Sequence, residues 1–87
     1  MTWRLVYTKQ AQKDAIRIEQ SGLKPATEHL LEILKENPYQ NPPPYEKLVG
    51  DLSGAHSRRI SLKHRLIYQV IEDIKTVKII RMWTHYE

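Results

Sequence analysis

Four prolines between positions 38 and 44 (Pro38, Pro42, Pro43 and Pro44) constrain this 87-residue chain more than any other feature. Proline fixes φ and lacks the donor that a helix interior or a central strand requires, so Pro38 to Gly54 is predicted to be an extended loop. On its amino-terminal side apolar residues recur at helical spacing, and on its carboxyl-terminal side they alternate as in strands. The loop is too short to separate domains. Its Tyr45, Leu48, Val49 and Leu52 offer apolar side chains for docking on the body, and docking would fix Glu46 in space.

Thr2 to Tyr7 reads as a strand with Trp3, Leu5 and Tyr7 on one face. Thr8 is placed to cap a helix carrying Ala11, Ala15 and Ile18 at i, i+4, i+7, with the polar residues between them facing water, and Gly22 is placed to end it. Pro25 suits the first turn of a second helix with Leu30, Leu31, Ile33 and Leu34 as its apolar stripe, stopped by Asn37 and Pro38. His56 to Ile60 and Arg65 to Ile71 read as strands, Glu72 to Lys75 as a turn, and Thr76 to Thr84 as a last strand. Strands joined by short turns pair antiparallel, and a helix hairpin must cover one sheet face. The expected fold is therefore α+β: one domain over residues 1–87, a two-layer sandwich of an N-terminal strand, a helix hairpin and three antiparallel strands. The face away from the helices stays available for a ligand.

Fourteen Lys and Arg against ten Asp and Glu give a net charge of +4, which favours polyanionic partners without choosing among RNA, DNA and anionic lipid. The absence of cysteine excludes disulfides and thiolate chemistry. No run of about 18 apolar residues supports a membrane span and no leader-like apolar segment supports export, so the cytoplasm is the expected compartment.

The positive charge is concentrated in LSGAHSRRISLKHRLIYQV, Leu52 to Val70, where Arg58, Arg59 and Arg65 stand on strand-like runs. Residues directly opposite in a hairpin share a face, so the turn decides what these arginines do together. A two-residue turn at Leu62 and Lys63 pairs Ile60 with Arg65 and separates Arg59 from Arg65. A three-residue turn, Leu62 to His64, pairs Arg59 with Ile67 and unites them. A shared phosphate site demands the odd turn or a bulge.

Glu46, Arg59, Arg65 and the terminal His85 with Tyr86 are the candidates for a site. A solvated carboxylate is the commonest fate of a glutamate, arginines often blunt sheet edges, and a terminal histidine is often frayed. Against these, Glu46 sits in a stiff segment, the arginines flank apolar residues, and His85 follows Trp83. His29, His56, His64 and His85 match no metal-ligand spacing, no GxSxG elbow is present, and VGDLSG is not a Walker loop. What remains is phosphoryl transfer without a metal. A carboxylate takes a proton from a ribose 2′-hydroxyl, cations stabilise the phosphorane, and a protonated imidazole gives a proton to the departing 5′-oxygen. Glu46, the arginines and His85 supply these groups in type. The competing reading is a non-catalytic basic module that binds nucleic acid or the ribosome under the control of an acidic protein partner.

PPPYEKLVGDLSG, SRRISLKHRLIYQV and the terminal MWTHYE together resemble the YoeB/Txe type of toxin within the RelE-like superfamily. The resemblance runs nearly end to end, with the amino-terminal strand and helices matching only in pattern. It implies a toxin of a bacterial toxin–antitoxin pair that cleaves messenger RNA at the ribosomal A site. A cognate antitoxin inhibits it, with homodimer and toxin–antitoxin hetero-oligomer both compatible. It implies Glu46 as general base, Arg65 as the transition-state arginine, His85 as general acid and Tyr86 as a neighbouring site residue. It also implies Arg59, Lys47 and, with Arg59 in the SRRI block, Arg58 near phosphate, no metal or other cofactor, no membrane, and a 2′,3′-cyclic phosphate product. The chain departs from the family pattern at Ala55 and His56, where a large aromatic is usual before SRRI. A stacking role for His56 on a base or a ribosomal group is the expectation there.

Overall fold

The structure, a computed structural model, describes residues 2–48 and 54–83. Strand β1 (Arg4–Tyr7) leads into helices α1 (Lys9–Ser21) and α2 (Lys24–Glu36). Strands β2 (Glu46–Lys47), β3 (Ala55–Arg59), β4 (Arg65–Ile71) and β5 (Thr76–Arg81) follow, with a 3₁₀ turn at Glu72–Ile74. These form one five-stranded sheet in the order β1-β5-β4-β3-β2. The expected architecture is borne out, with two additions. Strand β1 lies parallel to β5 at one edge, and Glu46 and Lys47, expected in the docked extended loop, form a short strand at the other edge.

Local chemistry accounts for the helix ends. The Thr8 hydroxyl accepts from the Ala11 N–H and donates to the Ile80 carbonyl, so one side chain caps α1 and ties it to β5. Gly22 ends α1 with φ at 81°, in the left-handed region that a residue without Cβ enters at no cost. Pro25 stands in the first turn of α2, and Asn37 closes it by donating its N–H to the Ile33 carbonyl. The turn expected at Glu72 to Lys75 forms, with Lys75 left-handed at φ 51°. The last strand ends at Arg81 within the described residues, short of the extent to Thr84 that the β-branched run predicts.

One core lies between the helices and the sheet: Ala11 and Ile18 of α1, Leu30 and Leu34 of α2, and Leu66, Tyr68, Val77, Ile79 and Met82 of the sheet end. The register sorts the faces. His56 and Arg58 lie opposite Tyr68 and Leu66, and so on the helix side. Glu46 lies opposite Ser57, Ser57 opposite Ile67, and Arg59 opposite Arg65, which gives the other face its polar row. The segment between β3 and β4 spans residues 60–64. It is odd in length, as a shared arginine face requires, but longer than the turns considered, and the pair it creates is Arg59 with Arg65 rather than Arg59 with Ile67.

Candidate active site

At the β2 end of the sheet, on the face away from the helices, Pro44, Tyr45, Glu46, Ser57, Arg59 and Arg65 line a cleft of about 260 Å³. The strands fix it from three directions. Glu46 projects from the edge strand β2, Ser57 and Arg59 from β3, and Arg65 from the first position of β4. The Arg65 Nη1 is 3.5 Å from Glu46 Oε2 and 3.5 Å from the Ser57 hydroxyl. The two ends of the ion pair differ in setting: the Arg65 side chain is 12% exposed and that of Glu46 is 64% exposed. A guanidinium held against the sheet is a fixed donor fork, whereas the open carboxylate is free to accept a proton from a ligand entering the cleft. At this distance and exposure the pair contributes at most about 1 kcal/mol to stability, so it shapes the cleft more than it holds the fold.

Of the expected site residues, Glu46, Arg59 and Arg65 come together. Lys47 does not join them: it lies opposite His56 and lines a different depression with Tyr39, Leu48, Gly54 and Val70. His85 and Tyr86 lie outside the described residues, as do Glu87 and the docking residues Val49 and Leu52. The path toward His85 is visible as far as Trp83, whose ring stacks on His64 with centroids 3.8 Å apart and 23° between planes. His64 immediately precedes Arg65. The chain therefore leaves the described structure beside the strand that carries the arginine.

Arg58, expected near phosphate with Arg59, is placed otherwise. Only 1% exposed, it turns to the helix side and donates from Nε to the Tyr68 hydroxyl, from Nη1 to the Pro43 carbonyl, and from Nη2 to the Pro38 and Gln40 carbonyls. Its guanidinium carbon also lies 4.9 Å from the Tyr45 ring centroid and 5.9 Å from that of Tyr68. Carbonyl dipoles and aromatic faces take the place of water around the charge, which makes the burial tolerable. A guanidinium so occupied does not face an incoming phosphate. Strand alternation carries this signal, because adjacent Arg58 and Arg59 must face opposite ways.

His56, expected to stack on a base or a ribosomal group, is buried instead. Its ring stacks on Tyr68 at 5.5 Å and takes edge contacts from Tyr45 and Tyr39 at 5.5 and 6.1 Å. Burial, with the Lys47 and Arg58 charges adding to it, pushes its pKa below the ordinary histidine value.

Asp14 is a residue that the sequence reading missed. It is 2% exposed on α1 and accepts from Gln10 Nε2, Arg81 Nε and the N–H groups of Met82 and Trp83. Burial alone would raise its pKa, but these hydrogen bonds outweigh burial and hold the carboxyl below its usual range. Its place between Ala11 and Ile18, three residues from one and four from the other, put it on the apolar stripe and was the available sign.

Two helices against one face of a mostly antiparallel five-stranded sheet, with a cationic cleft on the other, define the class as the RelE-like toxin fold. The sequence model of the YoeB-like toxins of bacterial type II toxin–antitoxin systems matches residues 7–86, and the chain belongs to that family. The structure is similar to the YoeB/ParE toxin from Agrobacterium tumefaciens, with a TM-score of 0.85 and 27% identity over 95% of this chain and 99% of that one. It is also similar to the YoeB–YefM complex from Staphylococcus aureus, with a TM-score of 0.81 and 28% identity over 99% of this chain and 100% of that one. The E. coli DinJ–YafQ toxin–antitoxin complex, at 20% identity and a TM-score of 0.81 over 98% and 94% of the two chains, shares the fold. No match is found among curated proteins.

Proposed function

We propose that this chain is the toxin of a type II pair and a ribosome-dependent endoribonuclease that cleaves messenger RNA through the 2′-hydroxyl. The observation that carries the reading is the open Glu46 carboxylate 3.5 Å from the covered Arg65 guanidinium, in a cleft with Arg59. Glu46 takes the 2′-hydroxyl proton as that oxygen attacks the adjacent phosphorus. Arg65 and Arg59 stabilise the charge on the phosphorane, and His85 gives a proton to the 5′-oxygen as the P–O5′ bond breaks. The products are a 2′,3′-cyclic phosphate and a 5′-hydroxyl end, and the reaction needs no metal. His85 is assigned as the acid from the family pattern and from imidazole chemistry; it follows two residues after Trp83, whose ring stacks on the residue before Arg65. Tyr86 stands beside His85 in this reading as a further donor to the phosphate.

The partner we propose is an antitoxin whose acidic segment covers the cationic cleft, in keeping with the net charge of +4 and with the YefM complex of the Staphylococcus aureus relative. Mapping 5′ ends in messenger RNA from translating ribosomes, with and without the purified chain, tests the proposal. New ends within ribosome-protected codons are expected, and addition of the antitoxin should abolish them. An unchanged pattern with saturating protein bound would leave a cationic binding module.

A further inference from the structure

We propose that Arg58 is a positioning residue for Glu46: a buried clamp that holds the proline-rich strap, and through it the carboxylate, at the Arg65 cleft. The inference rests on the reading of Glu46 as general base. Strand β2 is held to β3 over only two residue pairs, Glu46 with Ser57 and Lys47 with His56, extended by the Leu48 N–H to the Ala55 carbonyl. So short a ladder at a sheet edge does not by itself fix a side chain to the fraction of an ångström that proton transfer requires. The chain before it, Pro38 to Tyr45, contains no helix or strand.

Arg58 supplies what the ladder lacks. Its fork reaches carbonyls at three places along that strap, Pro38, Gln40 and Pro43, and its face lies against Tyr45, the residue before Glu46. Tyr68 backs it from the core, accepting from Arg58 Nε while its own hydroxyl donates to the Pro38 carbonyl. Because Ser57 and Arg59 line the cleft on the opposite face, one strand builds the front of the site and holds its far wall from behind. A lysine keeps the charge but cannot bond three separated carbonyls and a hydroxyl with fixed planar geometry, so only arginine serves at this position.

Single-turnover cleavage on stalled ribosomes, run at saturating protein, tests this with Arg58→Lys in the wild-type and Glu46→Gln backgrounds. In the wild-type background Arg58→Lys should slow cleavage roughly 10- to 100-fold with the half-saturating concentration little changed. With Glu46 already Gln it should cost less than about threefold, because a misplaced base cannot be lost twice. Amide exchange should quicken at Tyr39 to Asn41 and Tyr45 to Lys47 while α2 and β5 keep their protection. Tyr68→Phe, a milder lesion to the same clamp, should show the same non-additivity should Arg58→Lys fold poorly. Equal losses in both backgrounds, or unchanged exchange at the strap, would overturn the positioning role while leaving Glu46 as base. Wild-type cleavage by Glu46→Gln alone would instead remove the base, and the positioning role with it.

Discussion

Glu46 and Arg65 meet at 3.5 Å although they stand on strands that are not neighbours in the sheet, β2 and β4, with β3 between them. The long arginine spans the intervening strand over Ser57, and the pairing of Arg59 with Arg65 concentrates two guanidinium groups on the same side. A cleft with a carboxylate on one wall and cations on the other suits a phosphodiester whose 2′-hydroxyl points to the first and whose phosphate meets the second. Neither residue belongs to the hydrophobic core cluster.

Glu46→Gln is therefore expected to reduce ribosome-dependent cleavage by roughly 10²- to 10⁴-fold while leaving the denaturant midpoint nearly unchanged, since the Glu46 end of the pair is open to water and a 3.5 Å contact so screened contributes at most about 1 kcal/mol. Arg65→Lys should also slow cleavage, because a point charge does not replace a planar fork. Parallel rate and urea-unfolding measurements on the same preparations check both. A large loss of stability with proportionate loss of rate would assign the pair to the fold instead.

Asp14→Ala should destabilise the fold by about 2 to 4 kcal/mol, because it strands the buried Met82 N–H and loosens the exit of β5 toward the tail. Since the carboxyl is held below its usual range in the fold, the stability it gives is present above the unfolded value, near pH 4, and is lost as pH falls through the lower folded value. Acid unfolding of the wild type and of Asp14→Asn, followed by circular dichroism, should show a shallower decline in the variant below about pH 4. Identical acid limbs would contradict the assignment.

A histidine whose pKa is lowered by burial adds a second loss of stability on acidification, at higher pH than that of Asp14. His56 is packed among Tyr39, Tyr45 and Tyr68 beside the cations Lys47 and Arg58, which lower its pKa in the fold. The unfolded chain binds its proton near pH 6.5, so stability should be full above that value and fall as pH drops toward the folded value. His56→Phe should flatten the urea midpoint between about pH 7 and 5. A slope unchanged by the substitution would show that another group carries it.

Thr8→Ala should cost about 1 to 2 kcal/mol, since it removes both the cap of α1 and the bond to the Ile80 carbonyl. Thr8→Ser, which keeps the hydroxyl, should recover most of the loss in thermal unfolding. Equal loss in the two variants would point to the methyl group.

The features legible in the sequence are those set by local chemistry. Thr8, Gly22, Pro25 and Asn37 mark helix ends through caps and backbone geometry that each residue imposes on its own surroundings. The strand from Arg65 to Ile71 is readable from alternation, and residue type, stiff setting and family pattern single out Glu46 and Arg65, which the fold brings into one cleft. What was not legible depends on distant pairing. Nothing near Arg4 to Tyr7 reveals that β1 runs parallel to β5, some 70 residues later in the chain. Arg58 illustrates the same limit from the other side. A basic residue beside a second arginine reads as a phosphate ligand until the register turns it toward the carbonyls of Pro38, Gln40 and Pro43. For Asp14 the apolar stripe signals burial, but its partners Met82 and Trp83 lie far along the chain and nothing local reveals them.

The most direct test of the central claim uses ribosome-bound messenger RNA with a single 2′-deoxynucleotide at the scissile position. If Glu46 works by taking a proton from the 2′-hydroxyl, cleavage at that position should disappear while the protein still binds and still cuts the all-ribose message. Undiminished cutting of the deoxy-substituted message would contradict the account.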